Sequence, residues 1–416
     1  MQTKLTRNPA VLRIGFAETI SSIGDWITMM AVFAMLVFRG GGGVAESSGV
    51  FLAGLLPILP ASMAAGWLCD RMDRRTLMIA SQILSGVVVS GLFFAHEPWM
   101  IYLLLALQAV SISVMGPARQ AVIPTLVAKD ELVRANAMLQ QLASLTKIGA
   151  PMLAGAVLAV LDPHQAVLLD VASFLISAAV LTGLPALPPA GKTSGPTENG
   201  EPVPAVSALQ LLRQSADLQR LFVGVFFSIA VIVGFDVLAS VFIRDVLGEG
   251  ESFFGLGIGL VGLGTLLASL WLMVRVRKIS PWRDMALGLL LLALIPLTLA
   301  VSAQIEAQTT ARILMLAGCL LGGFGNGLVH IQSATLLQLS SPAAMLGRAG
   351  GMMQSTATAG QLIGVLATPL LVPGLLSMAH FFAAAAVLLV FCAGWVAVQW
   401  KESKKSVTLD VPRTLS

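Results

Sequence analysis

The sequence predicts an all-α membrane protein of twelve transmembrane helices in two six-helix bundles, and three observations carry that prediction. Of its 416 residues 56% are hydrophobic and only 11% charged, whereas a soluble domain carries roughly 25% charged residues. The apolar residues gather into runs close to the ~20 residues that a helix needs to cross a bilayer. A stretch rich in Pro, Gly, Ser and Thr divides those runs into six and six. A mean hydropathy of +0.88 leaves no room for a large catalytic domain. The 40 glycines and 6% aromatic content suit close helix packing in lipid, not the alternating pattern of a β-barrel.

The first run, 11–38, follows Lys4, Arg7 and Arg13, but it contains Glu18 and Asp25, exceeds a signal-peptide core in length and lacks a convincing cleavage site. It is expected to stay as the first span. The next five runs lie at 48–69, 76–95, 100–118, 136–160 and 166–184. "PALPPAGKTSGPTENGEPVPAVSA", Pro185–Ala208, has few apolar side chains to bury and reads as a flexible linker. The second set follows at 221–243, 253–274, 286–302, 313–337, 349–372 and 376–399. The expected organisation is an N-terminal bundle over 1–184, a cytoplasmic linker over 185–212, a C-terminal bundle over 213–400 and a cytoplasmic tail over 401–416.

Charge in the loops sets the orientation. Lys4, Arg7, Arg71, Arg74, Arg75, Lys129, Arg134, Lys192, Arg213 and Lys401 fall on one side, and only Arg39, Arg244 and Arg312 fall near the other. The positive-inside rule places both termini and the linker in the cytoplasm. Trp99, Trp282 and Trp400 stand near span ends, as interfacial anchors do. The net charge of +4 is spread between apolar runs and forms no basic domain, which excludes nucleic acid as a partner. Cys69, Cys319 and Cys392 show neither CxxC nor metal-ligand spacing, so neither disulfides nor a metal site is expected.

The two halves match where the chain enters spans five and eleven: "LVRANAMLQ", Leu132–Gln140, aligns with "LGRAGGMMQ", Leu346–Gln354, setting Arg134 opposite Arg348. Duplicated bundles of this kind rock about a midplane site to give alternating access. Between spans two and three, "GWLCDRMDRR" fits G-x-L-x-D-R-x-x-R-R at every specified position, with Gly66, Asp70, Arg71, Arg74 and Arg75. Gly66 admits a close neighbour, Asp70 can face a positive helix N-terminus, and the arginines can pair with acids or lipid phosphates.

This loop resembles motif A of the major facilitator superfamily, at the position the family gives it. The resemblance extends over essentially the whole chain. "ETISSIGDW", "GPARQAVIPTLV", "ELVRANAML" and "LLDVASFLISA" resemble the branch of macrolide-efflux and enterobactin-exporter proteins. The resemblance implies the major facilitator fold, a bacterial inner-membrane location, no cofactor, and a latch in which Asp70 docks near Arg348 when the cytoplasmic side is closed. Span five carries "GAPMLAG", similar to the family's antiporter motif but with Ala150 and Ala154 in place of glycines. Gly149, Pro151 and Gly155 there read equally as a packing kink or as an export determinant.

Ionisable residues deep in lipid usually face a partner or a wet cavity. Glu18 and Asp25 lie two turns apart on one face of span one. Asp25 and Lys147 both count to mid-span, and an ion pair between them, either structural or proton-coupling, is geometrically open. Arg119 is a further cavity candidate. Asp170 counts to about one turn inside the outer end of span six and is expected to reach solvent, whereas Asp236 beside Gly234 lies mid-span as a cavity or structural acid. The "GGFGNG" run, Gly322–Gly327, lacks the strand and Lys of a phosphate loop, and His330 after it fits a relay or a structural role. The 18 methionines fit an adaptable pocket or ordinary helix filler.

Together these readings predict a monomeric secondary active exporter of amphipathic small molecules, drug-like or siderophore, driven by protons and surrounded by lipid. Import or lipid translocation by the same fold is the alternative. A non-transporting receptor would need a soluble domain, and an enzyme would need clustered catalytic groups; the chain has neither.

Overall fold

The computed structural model describes residues 8–69, 71–127, 132–187, 215–274, 280–340, 346–372 and 374–409, which are helical with short turns and contain no strand. The helices are α1 (Pro9–Phe33), α2 (Val44–Leu55), α3 (Ile58–Cys69), α4 (Arg74–Ser90), α5 (Pro98–Ile112), α6 (Met115–Leu126), α7 (Leu132–Leu158) and α8 (Pro163–Leu181). After the linker come α9 (Ala216–Asp245), α10 (Glu251–Val274), α11 (Pro281–Leu292), α12 (Leu294–Ser302), α13 (Gln308–Ser340), α14 (Leu346–Leu371) and α15 (Met378–Leu409).

Their limits follow from local chemistry. Proline opens α1, α5, α8 and α11, where a missing N–H is tolerated and φ is already helical. Asn8, Asp73 and Asp162 cap α1, α4 and α8 by accepting from backbone N–H groups of the first turn. Pro57 separates α2 from α3, and Pro296 falls where its N–H would have continued the ladder from α11 into α12. Span two is thus α2 with α3, span four α5 with α6, and span nine α11 with α12. Past α1 the helix widens into a π turn, Ala34–Phe38, and Gly41 at φ 71° turns the chain toward α2.

Among the described residues, eleven helical stretches are long and apolar enough to cross a membrane. The helix α14 occupies the predicted eleventh span without being among them, because Gly, Thr, Ser and Gln fill much of its length. Large apolar side chains such as Val87, Phe94, Val387 and Phe391 stand outward, 63–71% exposed, as lipid-facing residues must.

The chain divides into two compact units, Met1–Asn199 with Ile243–Gly259, and Gly200–Phe242 with Leu260–Ser416. Ile243–Gly259 belongs to the first of these units. There Arg244 donates to the carbonyls of Val37 and Gly42, Glu251 pairs with Arg39 at 3.0 Å, and Ser252 donates to Gly155 O at 2.9 Å.

In the first unit α1 lies against α7 and α8, and α4 against α5 and α8. The pairing of α4 with α8 is antiparallel: Arg74 N donates to Leu187 O, Arg75 to Thr182 O, Gly86 faces Phe174, and His164 meets Leu92 O. In the second unit α11 and α12 pack on α13 and α15. The run Gly322–Gly327 lies inside continuous α13 and holds the helices together. A Cβ on Gly323 would lie 2.3 Å from Val261 O on α10, and one on Gly325 would lie 2.4 Å from Leu292 N on α11.

Candidate functional site

The face of α1 that carries Glu18 and Asp25 opens on a cavity of about 260 Å³ inside the first unit. Its walls come from α1, α4, α5, α6, α7 and α8, and include Ser21, Gln82, Arg119, Thr146 and Phe174. Arg119 donates to Glu18 Oε2 at 2.9 Å, an ion pair across α1 and α6 whose side chains remain 33% and 22% exposed. Gln108 on α5 donates to Asp25 Oδ1 at 2.9 Å. These bonds place two acids in one cavity, one matched by a cation and one by a neutral amide.

Two expectations are corrected here. Lys147 does not meet Asp25: it projects from an exposed position of α7 and has no ion pair among the described residues, because its depth along the helix matched Asp25 but its face did not. Arg119, a cavity candidate in the sequence, lines the cavity and is paired there with Glu18. Asp170 does not reach solvent. The helix α8 starts at Pro163 behind its Asp162 cap, which sets Asp170 two turns inside and fully buried.

Asp170 is instead seated against α1. Thr28 Oγ1 donates to its Oδ2 at 2.5 Å, and Ser173 Oγ lies 2.9 Å from its Oδ1 and 2.8 Å from its backbone O. Gly24 makes the fit possible, since a Cβ there would stand 2.1 Å from Asp170 Oδ1. Asp25, next in sequence to that glycine, lies within electrostatic reach of Asp170.

The motif A loop holds the first unit together at its Thr182–Leu187 end. Asp73, passed over in the sequence in favour of Asp70, accepts from Thr76 N at 2.9 Å and from Leu187 N at 2.7 Å. Burial pushes the Asp73 carboxyl up, but the bonds from Thr76 and Leu187 and the charge of Arg75 outweigh it and hold it below the usual carboxylate value. Arg75 donates to Thr182 O and Arg13 to Gly183 O, so both cap the C-terminal end of α8. Arg74 is buried and donates to Cys69 O, and Arg71 stacks on Trp67 at 3.8 Å. Asp70, the surroundings of Gly66 and the side chains of Arg134 and Arg348 lie outside the described residues, as do Lys192 and most of the linker.

Of the antiporter-like residues, Gly149 is exposed with open space around it. Gly155 is buried, and a Cβ on it would stand 3.3 Å from Ser252 Cα; Gly255 lies just beside it, where a Cβ would be 2.7 Å from Pro151 O. Only the second half of that motif is therefore a close-packing device. In the second unit Asp236 is partly exposed on α9 and within electrostatic reach of Cys319.

Eleven membrane-length helices among the described residues, motif A and a charged cavity inside a helical bundle define a multi-pass membrane transporter. The profile of the Major Facilitator Superfamily matches residues 14–365, and the chain belongs to that family. It is 27% identical over 372 residues to the uncharacterized MFS-type transporter YfiS of Bacillus subtilis, covering 88% of this chain and 87% of that one. It is 26% identical over 406 residues to the multidrug efflux pump Tap of Mycobacterium tuberculosis, covering 94% and 93%. Macrolide efflux protein A of Streptococcus pyogenes is 28% identical over 165 residues, 38% of this chain and 40% of that one. A crystal structure of a POT family transporter in complex with 5-aminolevulinic acid shares the fold, with a TM-score of 0.73 at 12% identity over 94% of this chain and 96% of that one. The efflux-named relatives bear out the expected family and branch at low identity.

Proposed function

We propose that this chain is a proton-coupled exporter of amphipathic small molecules that works by alternating access in a bacterial inner membrane, with both termini cytoplasmic. The carrying observation is Asp25, an acid on the cavity wall whose hydrogen-bond partner is the neutral Gln108 and not a cation. An acid so placed can gain and lose a proton without breaking an ion pair. The names of Tap and macrolide efflux protein A support export. Because Glu18 neutralises Arg119 and Lys147 points away, the cavity keeps the excess negative charge of Asp25, which favours cationic or neutral cargo over an anionic siderophore. A cavity of about 260 Å³ is below the 300–1,000 Å³ usual for drug-sized ligands, and suits protons and water better than whole cargo. By family resemblance, Asp70 and Arg348 form the cytoplasmic latch.

The test is pH-driven efflux by reconstituted protein in liposomes. Asp25→Asn is expected to abolish transport driven by a pH gradient while sparing gradient-independent exchange of substrate. Full pH-driven transport by this variant would remove Asp25 from the mechanism. Impermeant thiol labelling from the outside of a cysteine placed at position 192 would refute the orientation.

A further inference from the structure

The antiparallel packing of α4 on α8 brings together two histidines that the sequence keeps far apart. His96 lies in the turn that follows Gly91–Phe94, and His164 lies in the first turn of α8. Their rings stand 5.2 Å apart, centre to centre, and are inclined at 53°. Two imidazoles bound through nitrogen to one tetrahedral ion at ~2.0–2.1 Å have ring centres about 5 Å apart, so the pair is spaced as two ligands of one transition-metal ion.

Hydrogen bonding prepares the pair for that role. The Nδ1 of His164 lies 3.3 Å from Leu92 O. A carbonyl oxygen only accepts, so Nδ1 carries the hydrogen and Nε2 keeps its lone pair for a ligand. Metal-binding histidines are oriented by a bond of this kind, made by the ring nitrogen that does not hold the metal. His96 is exposed and has no hydrogen-bond or ion-pair partner among the described residues; its ring meets that of His164.

Charge around the pair favours a cation. Both histidines line a cavity of about 600 Å³ together with Arg39, Glu46 and Asp162. Arg39 pairs with Asp162 at 2.9 Å and with Glu251 at 3.0 Å, so the carboxylates of Glu46, Asp162 and Glu251 stand against a single guanidinium. The positive end of α8 opposes a cation, and the Asp162 cap offsets it. The carboxylates on the cavity wall are already engaged. Asp162 accepts from Arg39 and from His164 N at 3.0 Å, and Glu46 accepts from Gly43 N at 2.7 Å.

No group of three or more His, Cys, Asp or Glu able to hold a metal occurs among the described residues. The protein therefore supplies two nitrogens and water completes the shell. Structural zinc uses four protein ligands, so an ion held by two is exchangeable. Imidazole donors suit Zn²⁺ and Cu²⁺, whereas Mg²⁺ and Ca²⁺ take oxygen.

We propose that His96 and His164 form an exchangeable binding site for a divalent transition-metal ion, and that the bound ion pins the turn before α5 to the start of α8. On the orientation proposed above this rim faces outside, so the site samples metal outside the cell. It is separate from the cavity of Glu18 and Asp25, and its test does not depend on what the chain transports.

Cu²⁺ added to the purified, tag-free, full-length protein is followed by pulsed electron paramagnetic resonance, which counts coordinated imidazoles. Wild type is expected to show two. His96→Ala and His164→Ala should each leave at most one and weaken binding by more than about tenfold, since even the outer hydrogen-bond partners of a metal ligand are worth about 10–100-fold in affinity. His380→Ala, which removes a histidine bonded to Ser377, should keep both. Zn²⁺ should displace Cu²⁺ and raise the melting temperature of wild type but not of His96→Ala, and Mg²⁺ should do neither. A one-imidazole spectrum in wild type, or a two-imidazole spectrum that survives His96→Ala, would overturn the site. If His164→Ala fails to fold, His96→Ala decides alone, because His96 is exposed in a turn and holds no hydrogen bond among the described residues. An equal Zn²⁺ effect on melting in wild type and His96→Ala would overturn the pinning of the turn.

Discussion

Replacing Gly24 by alanine tests whether the packing of α1 on α8 is built around the Asp170 carboxyl. The new methyl would stand 2.1 Å from Asp170 Oδ1, 2.2 Å from Ser173 Oγ and 2.9 Å from Asp170 Cγ. Ordinary contact begins near 3.4 Å, so the carboxyl must retreat by more than an ångström. Neither group is the free end of a flexible chain: Asp170 is fully buried and held by Thr28, and Ser173 is bonded to it. Overpacking of a tight core costs about 1–3 kcal/mol. Displacing the Thr28 and Ser173 hydrogen bonds adds about 1 kcal/mol each. Alanine returns about 1 kcal/mol through helix propensity. The net loss is roughly 2–4 kcal/mol, or on the order of 5–15 °C in Tm for a unit of about 200 residues. Thermal unfolding in detergent, with Gly149→Ala as control, measures it. Gly149 has nothing within 4 Å of a new Cβ, so its alanine variant should be neutral or slightly more stable. If Gly24→Ala melts with Gly149→Ala, or if adding Asp170→Ala does not relieve it, the packing argument is wrong.

Glu18→Gln and Arg119→Met should each destabilise more than the double variant, because a single change strands one charge at the cavity; a thermal double-mutant cycle showing strict additivity would exclude a functional pair. Asp73→Ala should cost about 1 kcal/mol by loss of the α4 cap. Its carboxyl titrates lower in the folded chain than when unfolded, so its stabilisation is full above about pH 4 and fades as pH falls through the folded value. The gap between wild-type and Asp73→Ala melting curves should therefore close in acid. Arg39→Ala breaks contacts to Asp162 and Glu251, but Arg39 and Asp162 are 45% and 49% exposed, so the loss should stay under about 1 kcal/mol and shrink further at high salt. A large, salt-independent loss would show that this cluster is more than a surface network.

Spans were legible because apolar runs announce themselves by length, and α14 was found by its place in the series although its Gly and Thr content lowers its hydropathy. Side-chain partners were less legible, and the failures have a common origin. Counting residues fixes depth in the membrane but not the face of the helix, which is why Lys147 looked like a partner for Asp25 and is not. Gln108 was missed because a neutral amide in an apolar run carries no charge to draw attention. Asp170 was misjudged by starting span six at 166, when Asp162 followed by Pro163 is a helix-start signal three residues earlier. Asp73 carried the same kind of signal before Arg74, hidden by the stronger motif around Asp70.

The glycine ridge of α13 makes that helix a mechanical keel. Its backbone touches α10 at Gly323 and Gly327, and α11 and α12 at Gly325 and Gly322, so it can neither roll nor slide without driving peptide groups into one another. Load applied to any of these helices is shared by all four, and bending must be absorbed outside them. Probe pairs placed on α10 and α13 should therefore keep one separation throughout a transport cycle, a built-in ruler against which every moving distance in the protein can be calibrated.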